Sequence, residues 1–404
     1  MEPVTVAEAI QIVLGQARSF GTEMVHLDRA GGRVLAQPIV ADRDLPPHNR
    51  VTMDGIAISF AAYAAGQRTF AIEATMAAGQ EPLHLAQPQN CIEVMTGCAM
   101  PPGTDTVIRY EDIEKANGTA TIVAPTVKPG GNVHQQGSDT TAGTVVVAAG
   151  TLVSAAVISM AASVGQHQLL VHSLPKIVVV STGNELVDVH ETPEPWQIRR
   201  SNVHAIRAML QANGADCTLL HLPDDMDAAT AGLQQCIVTH DAVILSGGVS
   251  MGLFDYVPAA LQSSGVTQLF HKVLQRPGKP FWFGVQEQTG TVVFAFPGNP
   301  VSAFMCAHRY FVPWLQACTH GMPKPQAMAM LAGSVTFQPS LQYFLQVQVS
   351  VSATGQLVAT PLAGNGSGDF SNLLQANAFM ELPQHITHFA AGEVYPIWPF
   401  QSIV

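Results

Sequence analysis

The sequence predicts a multidomain protein of the α/β plus β class: a central three-layer α/β/α domain, a small inserted β domain and a C-terminal domain like a β-barrel. Three observations predict this architecture. Apolar runs alternate with helical patterns between residues 175 and 320, which is typical of a parallel sheet covered by helices. Short apolar runs with frequent turns fill residues 49–140 and 323–404. A chain of 404 residues is also too long for one core.

The N-terminal segment predicts a helix over residues 5–19. Val6, Ile10 and Val13 recur at helical spacing behind Thr5, and Glu8 completes a capping pattern with that threonine. We therefore expect the helix to begin directly after Thr5.

The N-terminal domain is predicted to be discontinuous. Residues 32–41 look extended and lead into Pro46-Pro47, and the apolar stretch 155–163 predicts a helix. Between these pieces the pattern is that of short strands: Phe70 to Ala74, Cys91 to Met95, Thr106 to Tyr110 and Thr119 to Val123. We therefore expect an N-terminal domain of residues 1–45 and 142–174, with a β domain of residues 46–141 inserted into it.

The remaining chain is predicted to form two further domains, at 175–322 and 323–404. The first holds the apolar runs Lys176 to Val180, Asp241 to Leu245 and Thr291 to Phe296, with helices near 200–213, 226–239, 255–264 and 300–317. The second returns to strands: Tyr343 to Val351, Gln356 to Thr360, Ala378 to Leu382 and Glu393 to Trp398.

Glycine- and proline-rich turns recur in the α/β domain. Three of the four closely follow an apolar strand run, and glycines there let a ligand approach backbone N–H groups. Ligands of open parallel sheets bind beyond the carboxyl ends of the strands, so several such turns predict one shared pocket. The four turns are Ser181-Thr182-Gly183-Asn184-Glu185, Ser246-Gly247-Gly248-Val249-Ser250, Arg276-Pro277-Gly278-Lys279-Pro280 and Pro297-Gly298-Asn299-Pro300.

Carboxylates beside turn signals are candidates for a magnesium site. Mg²⁺ is commonly held by one or two carboxylates together with ligand phosphate oxygens and water. Each residue taken alone is as well explained as a helix cap or a turn former. The candidates are Asp54, Asp139, Glu185, Asp255 and one of the pair Asp224 and Asp225, between which the sequence does not choose.

The loop at residues 276–280 carries two cations. The Arg276 guanidinium suits forked contacts with an oxyanion, and Lys279 supplies a point charge. The alternative is a solvated hairpin turn, because the loop lacks the phosphate-loop pattern. The serines lack a nucleophile elbow, and the histidine spacing is not that of a zinc hydrolase.

Composition excludes several classes of partner. The net charge is −11, and only 12% of residues are charged, which argues against nucleic acid or an anionic membrane as the main partner. The six cysteines form no C-x-x-C pair and resemble reduced core thiols. No signal peptide or membrane span is evident, so the chain is predicted to be cytoplasmic.

The motifs together resemble the molybdopterin molybdenumtransferase family, which is similar to the C-terminal domain of gephyrin. The resemblance implies insertion of molybdate into adenylylated molybdopterin, with release of AMP and with Mg²⁺ as cofactor. It implies a molybdopterin-binding α/β domain and an elongated N-terminal linker and dimerisation domain in a homodimer, with the active site between the α/β domain and domains of the partner subunit. Molybdopterin adenylyltransferase and downstream cofactor-maturation proteins are implied partners. The motifs are Thr52-Met53-Asp54-Gly55, Met95-Thr96-Gly97, Gly137-Ser138-Asp139, the four turns above, Asp255-Tyr256 and Gly366-Ser367-Gly368.

The resemblance assigns a role to each matching residue. The catalytic set is Asp54, Asp139, Glu185 and Lys279. The metal set is Glu185, Asp224 and Asp255. The molybdate set is Arg276, Lys279, Pro280, Ser302 and Ser367, and the substrate-binding set is Thr96, Ser181, Gly183, Ser246, Gly247, Gly248, Ser250, Pro297, Gly298 and Asn299.

The chain also departs from the family pattern. His134-Gln135-Gln136 stands where the family has arginine-rich sequence and a glutamate before the aspartate, and Pro339 to Gln346 lacks the usual arginines. No lysine or arginine follows Lys324. This loss favours an alternative function, a non-catalytic molybdopterin-binding or scaffold protein. The sequence does not separate molybdate from tungstate, because the two anions share charge and shape.

Overall fold

The computed structural model of the chain describes residues 2–248, 257–319, 326–364 and 366–403. It comprises two compact units. The first contains residues 1–36, 150–154 and 169–404, and the second contains residues 37–149 and 155–168. The first unit holds the central α/β sheet and the C-terminal barrel, and the second holds the inserted β sheet.

The predicted first helix is confirmed, but it spans Val6–Leu14 and therefore ends before the predicted residue 19. The Glu8 backbone N–H donates to Thr5 Oγ1 over 3.2 Å, and the Thr5 N–H donates to Glu8 Oε2 over 2.7 Å. This reciprocal capping satisfies two backbone donors that a helix start otherwise leaves unpaired. Val6 and Val13 are buried in the core of the first unit.

The central sheet has six strands and is mixed rather than wholly parallel, so the predicted parallel sheet needs correction. Its first four strands are parallel, and the fifth runs antiparallel to both of its neighbours. The reason is the short turn between the strands Trp282–Gln286 and Thr291–Phe296, because a tight hairpin joins only antiparallel neighbours. In spatial order the strands are Cys217–Leu222, Ile177–Thr182, Ala242–Ser246, Thr291–Phe296, Trp282–Gln286 and Thr267–His271.

Helices cover both faces of this sheet, which confirms the three-layer prediction. Along the strand Ile177–Thr182, Val179 faces one buried cluster and Val180 faces the other. The first face is covered by Asn202–Ala212 and by a long helix of three parts, Pro300–Cys306, the π-helical Ala307–Phe311 and Val312–Cys318. The second face is covered by Met226–Thr239 and Val257–Ser263.

The C-terminal strands close into a five-stranded barrel, as the sequence predicted. Closure occurs because the long strand Gln342–Val351 pairs with both Leu357–Pro361 and Ala378–Leu382. Met328–Leu331 and Val394–Pro399 complete the barrel. The short strand Gln275–Arg276, which belongs to the cationic loop, adds in parallel to the start of the long strand.

A buried ion pair joins the barrel to the α/β layers within this unit. Arg309 lies in the π-helical turn, and its Nε donates to Glu381 Oε2 of the barrel over 3.1 Å. The indole N–H of Trp398 donates to the same carboxylate oxygen over 2.6 Å, and Gln342 donates to Glu381 Oε1 over 2.8 Å. Arg309 and Glu381 are 8% and 9% exposed, so the pair is largely withdrawn from water.

Smaller elements complete the first unit. Thr22–His26 pairs with Gln168–His172, and Leu186–Val187 pairs with Ile198–Arg199. Val335–Thr336 pairs with His388–Phe389 beside the barrel. Short helical turns lie at Leu27–Ala30 and Phe370–Leu374.

The second unit is built on a six-stranded sheet that contains every strand predicted for the inserted domain. Helices lie at Phe60–Ala64 and Ala155–Ser163, with a 3₁₀ turn at Tyr110–Asp112. Two-stranded pairings join Arg50–Val51 to Val133–His134, and Ile39–Val40 to Val145–Val147. The sheet order is Thr106–Arg109, Gly55–Ile58, Cys91–Val94, Thr69–Met76, Thr119–Ile122 and Ile113–Ala116.

The six cysteines are free thiols, and five of them are buried. This agrees with the prediction of reduced core cysteines. Within the described ranges we find no helix that combines the length and apolar character needed to cross a bilayer.

Candidate functional site

A cavity of about 770 Å³ lies in the first unit at the carboxyl ends of the central parallel strands. Its lining comes from all four glycine- and proline-rich turns and from one side of the barrel. The single pocket predicted from those turns is therefore present. The predicted site residues that line it are Ser181, Gly183, Glu185, Asp224, Ser246, Gly247, Gly248, Arg276, Lys279, Pro280, Pro297, Gly298, Asn299, Ser302 and Ser367.

The remaining predicted residues lie elsewhere. Ser250 and Asp255 fall outside the described residues, so their predicted roles stay predictions. Asp54, Thr96 and Asp139 belong to the second unit.

Glycine is required where two turns of the cavity meet. Gly247 and Gly248 have φ angles of 105° and 69°, which L side chains rarely adopt. A Cβ atom on Gly248 would lie 2.5 Å from Val257 Cγ2 and 2.9 Å from the Thr182 hydroxyl oxygen. That hydroxyl is buried and has no hydrogen-bond partner within the described ranges. The turn thus brings backbone close to the cavity and leaves one buried polar atom available to a ligand.

Asn202 holds two of the turns together, a role that was not predicted from the sequence. Its Nδ2 atom donates to Ser246 Oγ and to the Gly298 carbonyl oxygen, each over 2.8 Å. The only sequence signal was its position at the start of a helix behind two arginines, and that position is more often explained by capping.

The barrel side is fixed to the start of the long helix. Asn299 Nδ2 donates to Ser367 Oγ over 2.8 Å, and the Val301 N–H donates to the Ser367 carbonyl oxygen over 3.1 Å. Two predicted residues from different motifs, Asn299 and Ser367, are therefore in direct contact.

His221 contacts Ser181, and no role was predicted for this histidine from the sequence. The Ser181 hydroxyl lies 3.1 Å from His221 Nδ1. Burial, and secondly the Arg200 charge, lower the pKa of His221, so the ring is neutral at pH 7.

Two carboxylates face the cavity at neighbouring strand ends. Asp224 Oδ2 accepts from the Asn184 N–H, and the Asp224 N–H donates to Asn184 Oδ1, each over 3.1 Å. Asp225 instead caps the helix Met226–Thr239 through the Ala228 N–H. Of the two alternatives, Asp224 is thus the one that lines the cavity, together with Glu185.

Two carboxylates fit the way proteins hold Mg²⁺, which takes one or two of them plus substrate phosphates and water. Among the described residues, no three His, Cys, Asp or Glu side chains form a group that could hold a metal ion on their own.

The cavity has its positive charge on one side. Arg276 and Lys279 are exposed and line it. Arg199 and Arg200 also line it, although neither was predicted as a site residue. Arg200 also pairs with Asp188 over 2.6 Å and lowers the pKa of that carboxyl. The barrel side offers only neutral residues within the described ranges: Leu341, Tyr343, Phe344, Gln346, Leu362, Gly364, Gly366 and Ser367.

In the second unit, Asp54 accepts two hydrogen bonds from Thr96. The Thr96 N–H and hydroxyl both donate to Asp54 Oδ1 over 2.6 Å. The side-chain bond and then the backbone bond lower the pKa of Asp54, which keeps it ionised at neutral pH. Thr96, predicted to bind substrate, therefore orients a predicted catalytic carboxylate.

Asp139 has a comparable partner in His134. His134 Nε2 lies 2.8 Å from Asp139 Oδ1, and Arg50 Nη2 lies 3.2 Å from His134 Nδ1. Arg50 and His134 face each other in a two-stranded pairing. The histidine that stands in place of the family's arginine-rich sequence thus makes a polar contact with the aspartate.

Three family models match the chain. They are the MoeA N-terminal region (domain I and II) over residues 4–165, the probable molybdopterin binding domain over 178–317 and the MoeA C-terminal region (domain IV) over 328–400.

Similar proteins extend over nearly the whole length. A molybdopterin molybdenumtransferase of Synechocystis is 37% identical over 397 residues, which covers 98% of this chain and 99% of the relative. A Staphylococcus aureus protein of the same name is 30% identical over 402 residues, covering 98% and 95%. The crystal structure of a molybdopterin biosynthesis MoeA protein from Pyrococcus horikoshii OT3 has a TM-score of 0.81 and 26% identity, covering 99% and 100%.

Proposed function

We propose that this chain, which belongs to the molybdopterin molybdenumtransferase family, inserts molybdenum from molybdate into adenylylated molybdopterin and releases AMP. The observation that carries the proposal is the cavity at the sheet edge. Glycine turns, two carboxylates and two exposed cations from the predicted motifs all line that one space. These groups match the three parts of the reaction, which are a phosphate-bearing substrate, a metal ion and an oxyanion.

In this proposal the α/β turns hold the pterin nucleotide. The turn at Ser246 to Gly248 and the turn at Pro297 to Asn299 are tied together by Asn202, so their backbone groups keep a fixed spacing. The buried Thr182 hydroxyl, which has no partner in the described part of the chain, is available to a substrate oxygen.

The cationic loop would receive molybdate. Arg276 and Lys279 project from the loop into the cavity, and no carboxylate is bonded to either in the described structure. A planar guanidinium beside a point charge suits a tetrahedral dianion. Ser302 and Ser367 would add hydroxyl donors, and Pro280 would shape the wall beside them.

Glu185 and Asp224 would hold Mg²⁺ together with the substrate phosphates, and Asp255 is proposed as a third ligand. When bound, the ion would neutralise pyrophosphate charge as AMP departs. The carboxylates themselves would orient that end of the nucleotide. The Mg²⁺ dependence of the rate in Glu185→Gln tests the assignment. Because a neutral amide replaces one carboxylate, the variant should need a higher Mg²⁺ concentration than the wild type for its half-maximal rate.

We also propose roles for the predicted residues of the second unit. Asp54 and Asp139 would be catalytic carboxylates, each with a polar partner, and Thr96 would bind substrate and orient Asp54.

The chain is proposed to act as a cytoplasmic homodimer and to work with molybdopterin adenylyltransferase and downstream maturation proteins. Sedimentation equilibrium tests the dimer, and a single-chain mass at micromolar concentration would contradict it.

Reconstitution tests the activity directly. Purified protein, adenylylated molybdopterin, Mg²⁺ and molybdate should release AMP and form active cofactor. The neutral barrel wall favours one alternative, a scaffold that binds the pterin nucleotide without turnover. Calorimetric binding of the nucleotide with no AMP release at millimolar molybdate would establish that alternative.

A further inference from the structure

One fully buried amide lies directly behind the cationic loop. Gln275 has 0% of its surface exposed, whereas the next residue, Arg276, is exposed. The Gln275 Nε2 atom donates to the Gly278 carbonyl oxygen over 3.2 Å and to Cys306 Sγ over 3.5 Å. The amide therefore ties the middle of the loop to the long helix behind it.

The acceptor half of the same amide is held by Tyr310. The Tyr310 hydroxyl donates to Gln275 Oε1. Tyr310 is 0% exposed and lies in the π-helical turn Ala307–Phe311. Burial raises the pKa of Tyr310 far above its usual range, so the hydroxyl remains a donor at every working pH. Both polar ends of Gln275 are thus engaged inside the protein.

The loop has almost no freedom to move toward the helix. Gly278 has a φ of 85°, and a Cβ atom there would lie 2.6 Å from Cys306 Sγ and 2.8 Å from Gln275 Nε2. Movement away from the helix would break the contacts of Gln275. The backbone adds two closures, because the Val273 N–H donates to the Lys279 carbonyl oxygen and the Phe281 N–H donates to that of Gly278.

We propose that Gln275 and Tyr310 are positioning residues that hold Arg276 and Lys279 in the oxyanion-binding arrangement. The proposal deepens the molybdate site and rests on the proposed function. Neither residue needs to touch the anion, because both act through the Gly278 carbonyl and the backbone of the loop. A π-helical turn fits this role, since such turns are frequent at functional sites. Here the same turn directs Arg309 to the barrel and Tyr310 to the loop.

Two variants remove the contacts with little change in volume. Tyr310→Phe deletes only the hydroxyl, and Gln275→Met deletes the amide. Thr291→Val is the matched control, because the Thr291 hydroxyl is also buried in the α/β layers and lies within 2.9 Å of the Ile237 and His240 carbonyl oxygens. All three should lower the melting temperature through a lost buried hydrogen bond.

The first measurement is amide hydrogen exchange of a peptide spanning residues 273–281, which requires no turnover. We expect exchange of this peptide to be about threefold or more faster in Tyr310→Phe and Gln275→Met, with Thr291→Val unchanged. Equal protection in all four proteins would overturn the proposal, whether or not the wild type is active.

The second measurement is the molybdate concentration at half-maximal rate. It should rise about three- to tenfold in both loop variants, while the Kd for the pterin nucleotide and the value for Thr291→Val stay unchanged. The double variant Gln275→Met with Tyr310→Phe should regain much of the lost melting temperature, because both polar partners are gone, yet keep the weak molybdate response. Recovery of that response along with stability would show a merely structural role. Absence of wild-type turnover would refute the proposed function, and the exchange result would still decide the positioning role.

Discussion

The cavity is built from two walls that differ in charge and in the way they are held. The α/β wall, defined as the lining from residues 181–302, carries Arg199, Arg200, Arg276 and Lys279 among tightly packed glycine turns. Its strand Gln275–Arg276 pairs with the start of the barrel strand Gln342–Val351, so Arg276 and Lys279 lie where the walls meet. The barrel wall, within the described ranges, contributes neutral residues such as Tyr343, Gln346 and Ser367. Because molybdate is a dianion, this difference leads us to expect anion capture on the α/β wall. The barrel wall would then give the cavity its shape and add hydroxyl or amide donors.

A buried ion pair is one of the contacts that join the two walls, and breaking it should have the largest effect. Glu381→Gln leaves the Arg309 guanidinium buried without its counter-charge, so the free energy of unfolding should fall by about 3–5 kcal/mol. Chemical denaturation followed by fluorescence measures this loss. Glu393→Gln is the matched control, because Glu393 is an exposed glutamate of the same barrel region. Equal losses in the two variants would show that the ion pair does not hold the walls together.

Removing the point charge from the α/β wall should have the next largest effect. Lys279→Ala takes away a cation that would face the developing negative charge, so turnover should drop roughly 100-fold or more. The rate of AMP release at saturating nucleotide measures it. Lys176→Ala removes an exposed lysine from the same α/β layers outside the cavity and should keep normal turnover. Normal turnover of Lys279→Ala would contradict the expectation that this wall captures the anion.

Replacing the Arg276 guanidinium with another cation should impair the enzyme less than deleting the Lys279 charge. Arg276→Lys keeps the positive charge but loses the planar fork, so the half-saturating molybdate concentration should rise roughly tenfold. Nucleotide affinity, measured by calorimetry, should stay within experimental error of the wild type. An unchanged molybdate response would show that the arginine fork is not used, and the scaffold alternative would gain support.

The α/β wall was also the more predictable of the two. Its strands are apolar runs that end in glycine turns, and parallel strands deliver their carboxyl ends to one edge, so the sequence alone predicted the pocket. The positions of Asn202, His221 and Arg200 were not predictable in this way. Asn202 and Arg200 line the cavity, whereas His221 contacts Ser181 of the lining. These contacts depend on the fold, and a lone Asn, His or Arg gives no periodic signal in one sequence.

The antiparallel edge of the central sheet was missed for a related reason. The run Thr291 to Phe296 has the same apolar composition as its parallel neighbours, and only the hairpin before it reverses the direction of Trp282–Gln286. The barrel-like domain was predicted, but the strand that closes it was not. The strand Gln342–Val351 pairs on both sides, which no local pattern specifies. The predicted C-terminal strands were correct because their apolar runs are local features.

The smallest expected effect comes from adding a cation to the neutral barrel wall. Gln346 lines the cavity, and within the described ranges its Oε1 accepts one long bond of 3.3 Å from Asn372, so little is lost when it is replaced. Gln346→Arg should lower the half-saturating molybdate concentration by roughly two- to fivefold, in line with a solvent-screened charge pair. It should also partly restore Arg276→Lys, since the cavity regains a guanidinium.

Gln348→Arg is the control for this last variant, because it adds the same charge two residues along the same strand, at an exposed position outside the cavity. Long-range attraction alone would improve molybdate use equally in both variants, and the gain would vanish at high salt for both. Improvement confined to Gln346→Arg would instead show that the anion lies within reach of the barrel wall. The two walls would then differ in charge but not in access to molybdate.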